Sequence, residues 1–123
     1  MAACSFAVLP KEPYPVATLL EVNIYDADLP GSANAFPTGS VYQLAKTTLL
    51  QPTYGKWNEF DITVKDNHIR VLLNGALALD TTADPAFRHA PRGPIALQWV
   101  GTPYLPGTLR YRNVVVRRLS ADP

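Results

Sequence analysis

The sequence predicts an all-β protein that forms one β-sandwich domain over residues 1–123. Twelve prolines and seven glycines separate short runs that are rich in Val, Ile, Leu, Thr and aromatic residues. Short strands bounded by turn residues are typical of sandwiches and barrels built from antiparallel sheets. Since no window shows a convincing 3.6-residue apolar period, no long helix is predicted.

The most regular strand covers residues 57–65, where Phe60, Ile62 and Val64 alternate with polar neighbours. Such alternation predicts a strand with one buried face and one solvent-exposed face. A turn at 65–67 leads into a returning strand at 69–73. The following Asn-Gly pair at 74–75 predicts a type I′ turn, because both residue types tolerate positive φ. Residues 76–80 then close a three-stranded meander.

The remaining strands are predicted at residues 4–9, 19–26, 39–44, 93–100 and 108–119. In the last of them, the apolar positions change from odd to even numbers around Asn113. A phase change of one residue predicts a β-bulge at that point, because a bulge inserts one extra residue into a strand.

Composition excludes several classes of protein. Only 17% of the residues are charged and the net charge is +1, so neither disorder nor a general affinity for nucleic acid is expected. Charge is nevertheless uneven, because the chain from Arg88 to Arg118 holds arginines and no carboxylate. These arginines favour an acidic ligand at this end, or they protect an edge strand from aggregation.

Neither a metal site nor a cofactor is predicted. Cys4 is the only cysteine, which excludes an internal disulfide and a zinc site built on several thiolates. His68 and His89 have no carboxylate at the spacing of metal ligands. Residues 1–10 lack the basic start of a signal peptide, so the cytoplasm is expected if Met1 is the native start. No apolar run is long enough for a membrane span.

The strand at 19–26 carries the first candidate site. Apolar residues at every second position, starting with Leu20, are expected to enter the core. The other face carries Glu21, Asn23 and Tyr25, and an acid, an amide and an aromatic ring suit the recognition of sugar hydroxyls. A solvated outer face would show the same alternation, and on alternation alone that interpretation is favoured.

Two further residues have both a structural and a functional interpretation. Gln98 is a polar residue on an apolar strand, where it meets either a ligand or the backbone of a neighbour. Trp57 is out of phase with the core residues of its own strand. It therefore either caps the edge of the sandwich, which is the commoner role, or stacks on a ligand.

Five segments resemble those of the 3-keto-disaccharide hydrolase domain, which occurs in many bacterial carbohydrate-processing proteins. They are WNEFDITVK at 57–65, HIRVLLNG at 68–75, EVNIYD at 21–26, RGPIALQ at 92–98 and YRNVVV at 111–116. No single motif is diagnostic. Their order and spacing, over residues 19–119, carry the resemblance.

The resemblance implies a concanavalin-like jelly roll, with about seven to nine strands in two antiparallel sheets and a ligand surface on the concave face. It also implies glycosides oxidised at C3 as substrates. The ketone acidifies the C2 proton, so a general base can start elimination of the C1 leaving group, and water adds afterwards. Glu21 is then the candidate catalytic base or substrate clamp. The candidate ligand-binding residues are Asn23, Tyr25, Gln98, Trp99 and Arg112.

Two departures from the family pattern affect the expected function. The family usually has a histidine two residues after the late-strand glutamine, whereas here Gln98 is followed by Trp99-Val100-Gly101. The missing histidine favours binding without turnover. Family domains are also longer at the start, and missing strands would expose a sheet edge or core face. We therefore predict a homodimer in which a second copy covers that surface.

Three functions remain open from the sequence. The first is a lectin-like module that binds glycosides on its concave face. The second is an active hydrolase or lyase that acts on 3-keto-glycosides with Glu21 as general base. The third is a non-catalytic, homo-oligomeric interaction protein. Turnover separates the first two, and the third predicts no affinity for sugars.

Overall fold

The computed structural model describes residues 4–8, 20–25, 36–83, 95–97 and 109–120. In these ranges the protein is all-β, with six strands and no helix. The strands are β1 (Cys4–Val8), β2 (Leu20–Ile24), β3 (Phe60–Lys65), β4 (His68–Leu73), β5 (Ala76–Thr82) and β6 (Ile95–Leu97). Within the described part of the chain, no helix is long and apolar enough to cross a membrane.

The strands form two three-stranded antiparallel sheets, with the orders β2-β1-β6 and β3-β4-β5. β1 is the central strand of the first sheet, so that Glu21, Ala7 and Ala96 share one row across it. In the second sheet β4 is central and β3 and β5 are the edges. Strands that are adjacent in sequence pair in this sheet, as short turns dictate.

The predicted meander is confirmed as β3-β4-β5. Asn74 and Gly75 have φ angles of 52° and 79°, the positive values that a type I′ turn requires. Ile69, Val71 and Leu73 are completely buried, as their alternation along β4 indicates. The first strand begins at Phe60, three residues later than predicted, so the preceding tryptophan lies outside the sheet.

A β-bulge in β5 is the feature of the meander that alternation did not predict. Val71 lies opposite Leu79 and Leu72 lies opposite Leu77, which leaves Ala78 without a register partner. Because the extra residue shifts the phase, the consecutive residues Ala78 and Leu79 are both buried. The Thr47 hydroxyl donates a hydrogen bond to the Ala78 carbonyl oxygen at 2.5 Å.

The strand predicted at 39–44 is wrong as a regular strand. Only Val41 forms bridges, to Val22 and to Ala45. Gly39 and Gln43 have φ angles of 95° and 61°, which interrupt an extended strand on both sides of Val41. Part of this segment nevertheless lies along β2, as the next subsection describes.

The strand predicted at 108–119 is also wrong within the described residues 109–120. Asn113 has a φ angle of 54°, so the backbone leaves the extended region at the position where the phase of the apolar residues changes. The structure has this left-handed residue instead of the predicted bulge. Residues 110–120 are all exposed, so alternating side chains gain no burial there.

One hydrophobic core joins the elements of both sheets. β2 contributes Leu20 and Val22, and β4 and β5 contribute most of the rest. The buried apolar residues are Leu20, Val22, Val41, Ile69, Val71, Leu73, Ala78, Leu79 and Ala83. Complete burial of a Val, Leu or Ile side chain contributes about 1.5–3 kcal/mol each, so this cluster fixes the position of β2 relative to the meander.

Candidate functional site

β2 has the alternation that the sequence predicted. Leu20 and Val22 are buried in the core, whereas Glu21 and Tyr25 are half-buried on the other face. Asn23 differs from these two, since it is only 8% exposed. The strand and the residue that follows it therefore present a carboxyl group and a phenol at the surface, with a buried amide between them.

The segment that follows residue 36 runs antiparallel to β2 and extends the first sheet on that side. The N–H of Tyr42 donates to the Glu21 carbonyl at 2.8 Å, and the N–H of Asn23 donates to the Ser40 carbonyl at 2.9 Å. Further along, Tyr25 N–H donates to the Thr38 hydroxyl oxygen at 2.9 Å. β2 thus has β1 on one side and this segment on the other, which holds the Glu21 backbone rigidly in place.

This pairing brings Tyr42 beside Glu21. Val22 and Val41 form the bridge between the two segments. Because the segments are antiparallel, Glu21, which precedes Val22, lies opposite Tyr42, which follows Val41. Opposed residues in an antiparallel pair project from the same face. Tyr42 is 39% exposed. We call the face that carries Glu21, Asn23, Tyr25 and Tyr42 the β2 surface.

Asn23 organises the edge of the β2 surface. Its side-chain amide donates a hydrogen bond to the Phe36 carbonyl oxygen at 2.5 Å. The Phe36 ring contacts Tyr42 edge-on, with 5.3 Å between centroids, and the Lys46 ammonium lies 5.4 Å from the Phe36 centroid. Asn23 therefore ties the backbone of Phe36 to β2, and the Phe36 ring contacts Tyr42 and Lys46.

This set of groups is chemically versatile. A carboxylate on a rigid strand can accept a proton from a bound substrate, provided that the substrate is held within hydrogen-bonding reach. The phenols of Tyr25 and Tyr42 can donate hydrogen bonds, and the Lys46 ammonium can stabilise developing negative charge. The β2 surface thus combines a carboxylate and hydroxyl donors, and the Lys46 ammonium lies beside the Phe36 ring that contacts Tyr42.

Arg112 occupies a different place, at the start of the meander. Its guanidinium carbon lies 3.9 Å from the centroid of the Trp57 ring. Trp57 remains 50% exposed. The two residues form an exposed cation–π pair.

Amide side chains tie the loop before β3 to the turn after β4. The Glu59 N–H donates to Asn74 Oδ1 at 2.9 Å. The Asn74 amide in turn donates to Asn58 Oδ1 at 3.0 Å and to Gln51 Oε1 at 3.3 Å. The loop that contains Trp57 is therefore anchored to the type I′ turn.

A model of the 3-keto-alpha-glucoside-1,2-lyase-like domain matches residues 2–117. The chain belongs to this family. The match confirms the resemblance seen in the sequence and extends it towards the start of the chain, where β1 lies. Comparisons with curated proteins and with solved structures give no significant match.

Six site residues of this lyase-like domain were predicted from the sequence, and the structure describes four of them. Glu21 and Asn23 lie on β2, Tyr25 follows its last residue, and the Arg112 guanidinium lies over the Trp57 ring. Gln98 and Trp99 lie outside the described residues. Sequence reasoning did not include Tyr42 and Lys46, which reach the candidate site through the bridge at Val41 and the contact with Phe36.

A further polar pair of the lyase-like domain lies on the outer face of the meander. His68 is the first residue of β4, and its Nε2 lies 2.5 Å from Asp80 Oδ1 on β5. Both side chains are about half exposed, so the pair contributes little to stability. Within the described ranges, no three His, Cys, Asp or Glu side chains gather into a group that could hold a metal ion.

Proposed function

We propose that this chain binds 3-keto-glycosides on the β2 surface and catalyses elimination of the C1 substituent, with Glu21 as general base. The observation that carries the proposal is the position of Glu21. It is half-buried on a strand that is hydrogen-bonded on both sides, in a chain of the lyase-like family. A rigid backbone keeps a base in the geometry that proton abstraction needs.

The proposed reaction has two steps. The Glu21 carboxylate takes the C2 proton, and the electron pair of that C–H bond forms an enolate with the C3 ketone. The enolate then collapses, the C1–O bond breaks, a C1–C2 double bond forms, and the leaving group takes up the proton that Glu21 releases, which restores the Glu21 carboxylate. Addition of water to this double bond gives the free 3-keto sugar.

Neighbouring groups support these steps. The enolate carries its charge on the C3 oxygen, and the Lys46 ammonium or the Tyr42 phenol can stabilise it. Stabilisation of charge that develops in the transition state is usually the largest contribution to catalysis. The exposed parts of Tyr25 and Tyr42 give the pyranose ring apolar surfaces on which to stack.

For the fold we propose the complete architecture of a concanavalin-like jelly roll. Two antiparallel sheets with a shared core are the arrangement that such a sandwich requires. In this proposal the β2 surface is the concave face. This would place it where ligands of such sandwiches bind.

The proposed activity is tested with 4-nitrophenyl 3-keto-α-glucoside, whose leaving group is coloured. We expect release by the wild type and a loss of about 10²–10⁴-fold in kcat for Glu21→Gln, the usual contribution of a general base. Asp66→Asn is the matched control. It also converts an exposed carboxylate into an amide, in a turn with positive φ that asparagine tolerates. Equal losses in the two variants would refute the role of Glu21.

A second candidate function is glycoside binding without turnover. The observation that favours it is Trp99-Val100-Gly101 in place of the family's histidine-containing sequence. This candidate predicts no release of 4-nitrophenol by the wild type. It also predicts that the substrate raises the melting temperature of both the wild type and Glu21→Gln.

Homo-oligomeric assembly is a third candidate, supported by the exposed valines at 114–116. Val115 is 80% exposed, more than any other large hydrophobic residue of the described chain. Arg117 and Arg118 follow these valines, and the edge strand β3 carries the exposed carboxylate of Asp61. Because these charges are complementary, we propose that the valine segment of one protomer docks beside β3 of a second copy.

A further inference from the structure

The exposed Trp57 calls for an explanation other than core packing. A tryptophan usually buries most of its large apolar surface, yet half of Trp57 is in contact with solvent. The exposed tyrosines Tyr54 and Tyr111 belong to the same two segments that Trp57 and Arg112 join. Aromatic surface of this kind marks a place where a ligand can bind.

The loop beneath Trp57 is organised before any ligand arrives. The Asn58 side-chain amide donates to the Thr53 carbonyl at 2.6 Å and to the Lys56 carbonyl at 3.0 Å. Asn58 is also anchored to the turn after β4 through the Asn74 amide. A ligand that binds to the indole therefore does not have to order this loop, which reduces the entropic cost of binding.

Arg112 supplies a charged group beside the exposed Trp57 ring. It is exposed, and within the described ranges no carboxylate forms an ion pair with it. The Arg112 guanidinium carbon lies over the Trp57 ring, 3.9 Å from its centroid, and the N–H groups of a guanidinium point outwards from its edges. A planar guanidinium with free N–H groups binds a carboxylate through two parallel hydrogen bonds.

The other charged residues of the Arg112 segment have the same sign as Arg112. Arg110, Arg117 and Arg118 are exposed in the same segment. No carboxylate occurs between residues 88 and 118. A cluster of one sign attracts ligands of the opposite charge and raises their rate of association.

We propose that Trp57 and Arg112 form a subsite for a carboxylate-bearing sugar, that is, a uronic acid unit of an acidic glycan. The indole surface that Arg112 leaves open receives the apolar face of the pyranose ring. The guanidinium binds the carboxylate at C6. The inference rests on the proposed function in one respect, namely that the ligand is a carbohydrate.

The test is a titration of the ¹⁵N-labelled full-length protein with methyl glucuronide and, as the uncharged match, methyl glucoside. The indole N–H resonance of Trp57, assigned by its loss in Trp57→Phe, reports binding. We expect at least a tenfold higher affinity for the glucuronide. In Arg112→Gln this preference disappears, whereas in Arg110→Gln, an exposed arginine two positions away, it persists.

Two further measurements make the result decisive. Arg112→Lys keeps the charge but loses the planar fork, so we expect loss of the preference with an unchanged melting temperature. Glu21→Gln keeps full glucuronide binding, which separates this subsite from the proposed activity on the β2 surface. Equal affinities for the two sugars, or the same loss in Arg110→Gln and Arg112→Gln, would overturn the proposal. Displacement of the glucuronide by equimolar inorganic phosphate would show a general anion site and would overturn it as well.

Discussion

Gly39 lies directly against Ala78, and a Cβ atom on Gly39 would meet the Ala78 Cβ atom at 2.8 Å. Gly39 belongs to the segment beside β2, and Ala78 is the bulged residue of β5. This close approach joins the candidate site to the meander. The position of the β2 surface therefore depends on a glycine that is remote from the proposed chemistry.

Gly39→Ala should destabilise the protein by more than Gly55→Ala. Both glycines have positive φ, at 95° and 76°, but a Cβ atom on Gly55 has nothing within 4 Å. We expect about 1–2 kcal/mol for the conformational strain that both share, and about 1–3 kcal/mol more for overpacking at Gly39. Urea denaturation measures both free energies of unfolding, and equal values would show that the contact with Ala78 is unimportant.

Thr47→Val should also weaken the contact between the β2 side of the molecule and β5, because valine cannot donate to the Ala78 carbonyl. Loss of a partner for a buried polar group costs about 1–3 kcal/mol of unfolding free energy. Thr47 is 6% exposed, whereas the adjacent Thr48 is exposed. Thr48→Val is therefore the control, and we expect it to change the unfolding free energy by less than about 0.5 kcal/mol. A smaller effect at Thr47 than at Thr48 would contradict this account.

The regular part of the fold was predictable because local rules determine it. Alternation fixed the faces of β2 and β4, and an Asn-Gly pair fixed the turn between β4 and β5. The bulge at Ala78 was not predictable, since Gly39 and Thr47, which contact the bulged residue, are distant from it in sequence. Tertiary contacts decide where a strand departs from its alternation.

The candidate site was predictable only along one strand. Glu21 and Tyr25 share a face because their spacing is even. Tyr42 and Lys46 join them through the bridge at Val41 and the contact with Phe36, and neither follows from a local pattern. Because the backbone is irregular at Gly39 and Gln43, the prediction of a regular strand did not give this pairing.

Asn74→Ala should destabilise the β4–β5 turn more than Asn74→Gly. Glycine accepts the φ angle of 52° at no steric cost, whereas alanine does not. Both variants lose the acceptor for the Glu59 N–H. We expect alanine to lower the free energy of unfolding by about 1–2 kcal/mol more than glycine, as measured by urea denaturation. The reverse order would contradict the assignment of a positive-φ turn.

Val115→Glu should disrupt the proposed homodimer, because it places a charge in the apolar segment at 114–116. Light scattering at micromolar concentration is expected to show a dimer for the wild type and a monomer for the variant. Thr48→Glu adds the same charge at another exposed position, and we expect it to remain a dimer. A wild-type protein that is monomeric under these conditions rules out this mode of assembly.

The proposed mechanism requires that Glu21 remove the C2 proton of a 3-keto-glycoside. It is tested most directly by running the reaction in D₂O and following C2 of the sugar by NMR. Elimination followed by addition of water places deuterium at C2 of the released 3-keto sugar, and Glu21→Gln should lose both incorporation and release. Release of a sugar that keeps its original hydrogen at C2 would show direct hydrolysis and would contradict the account.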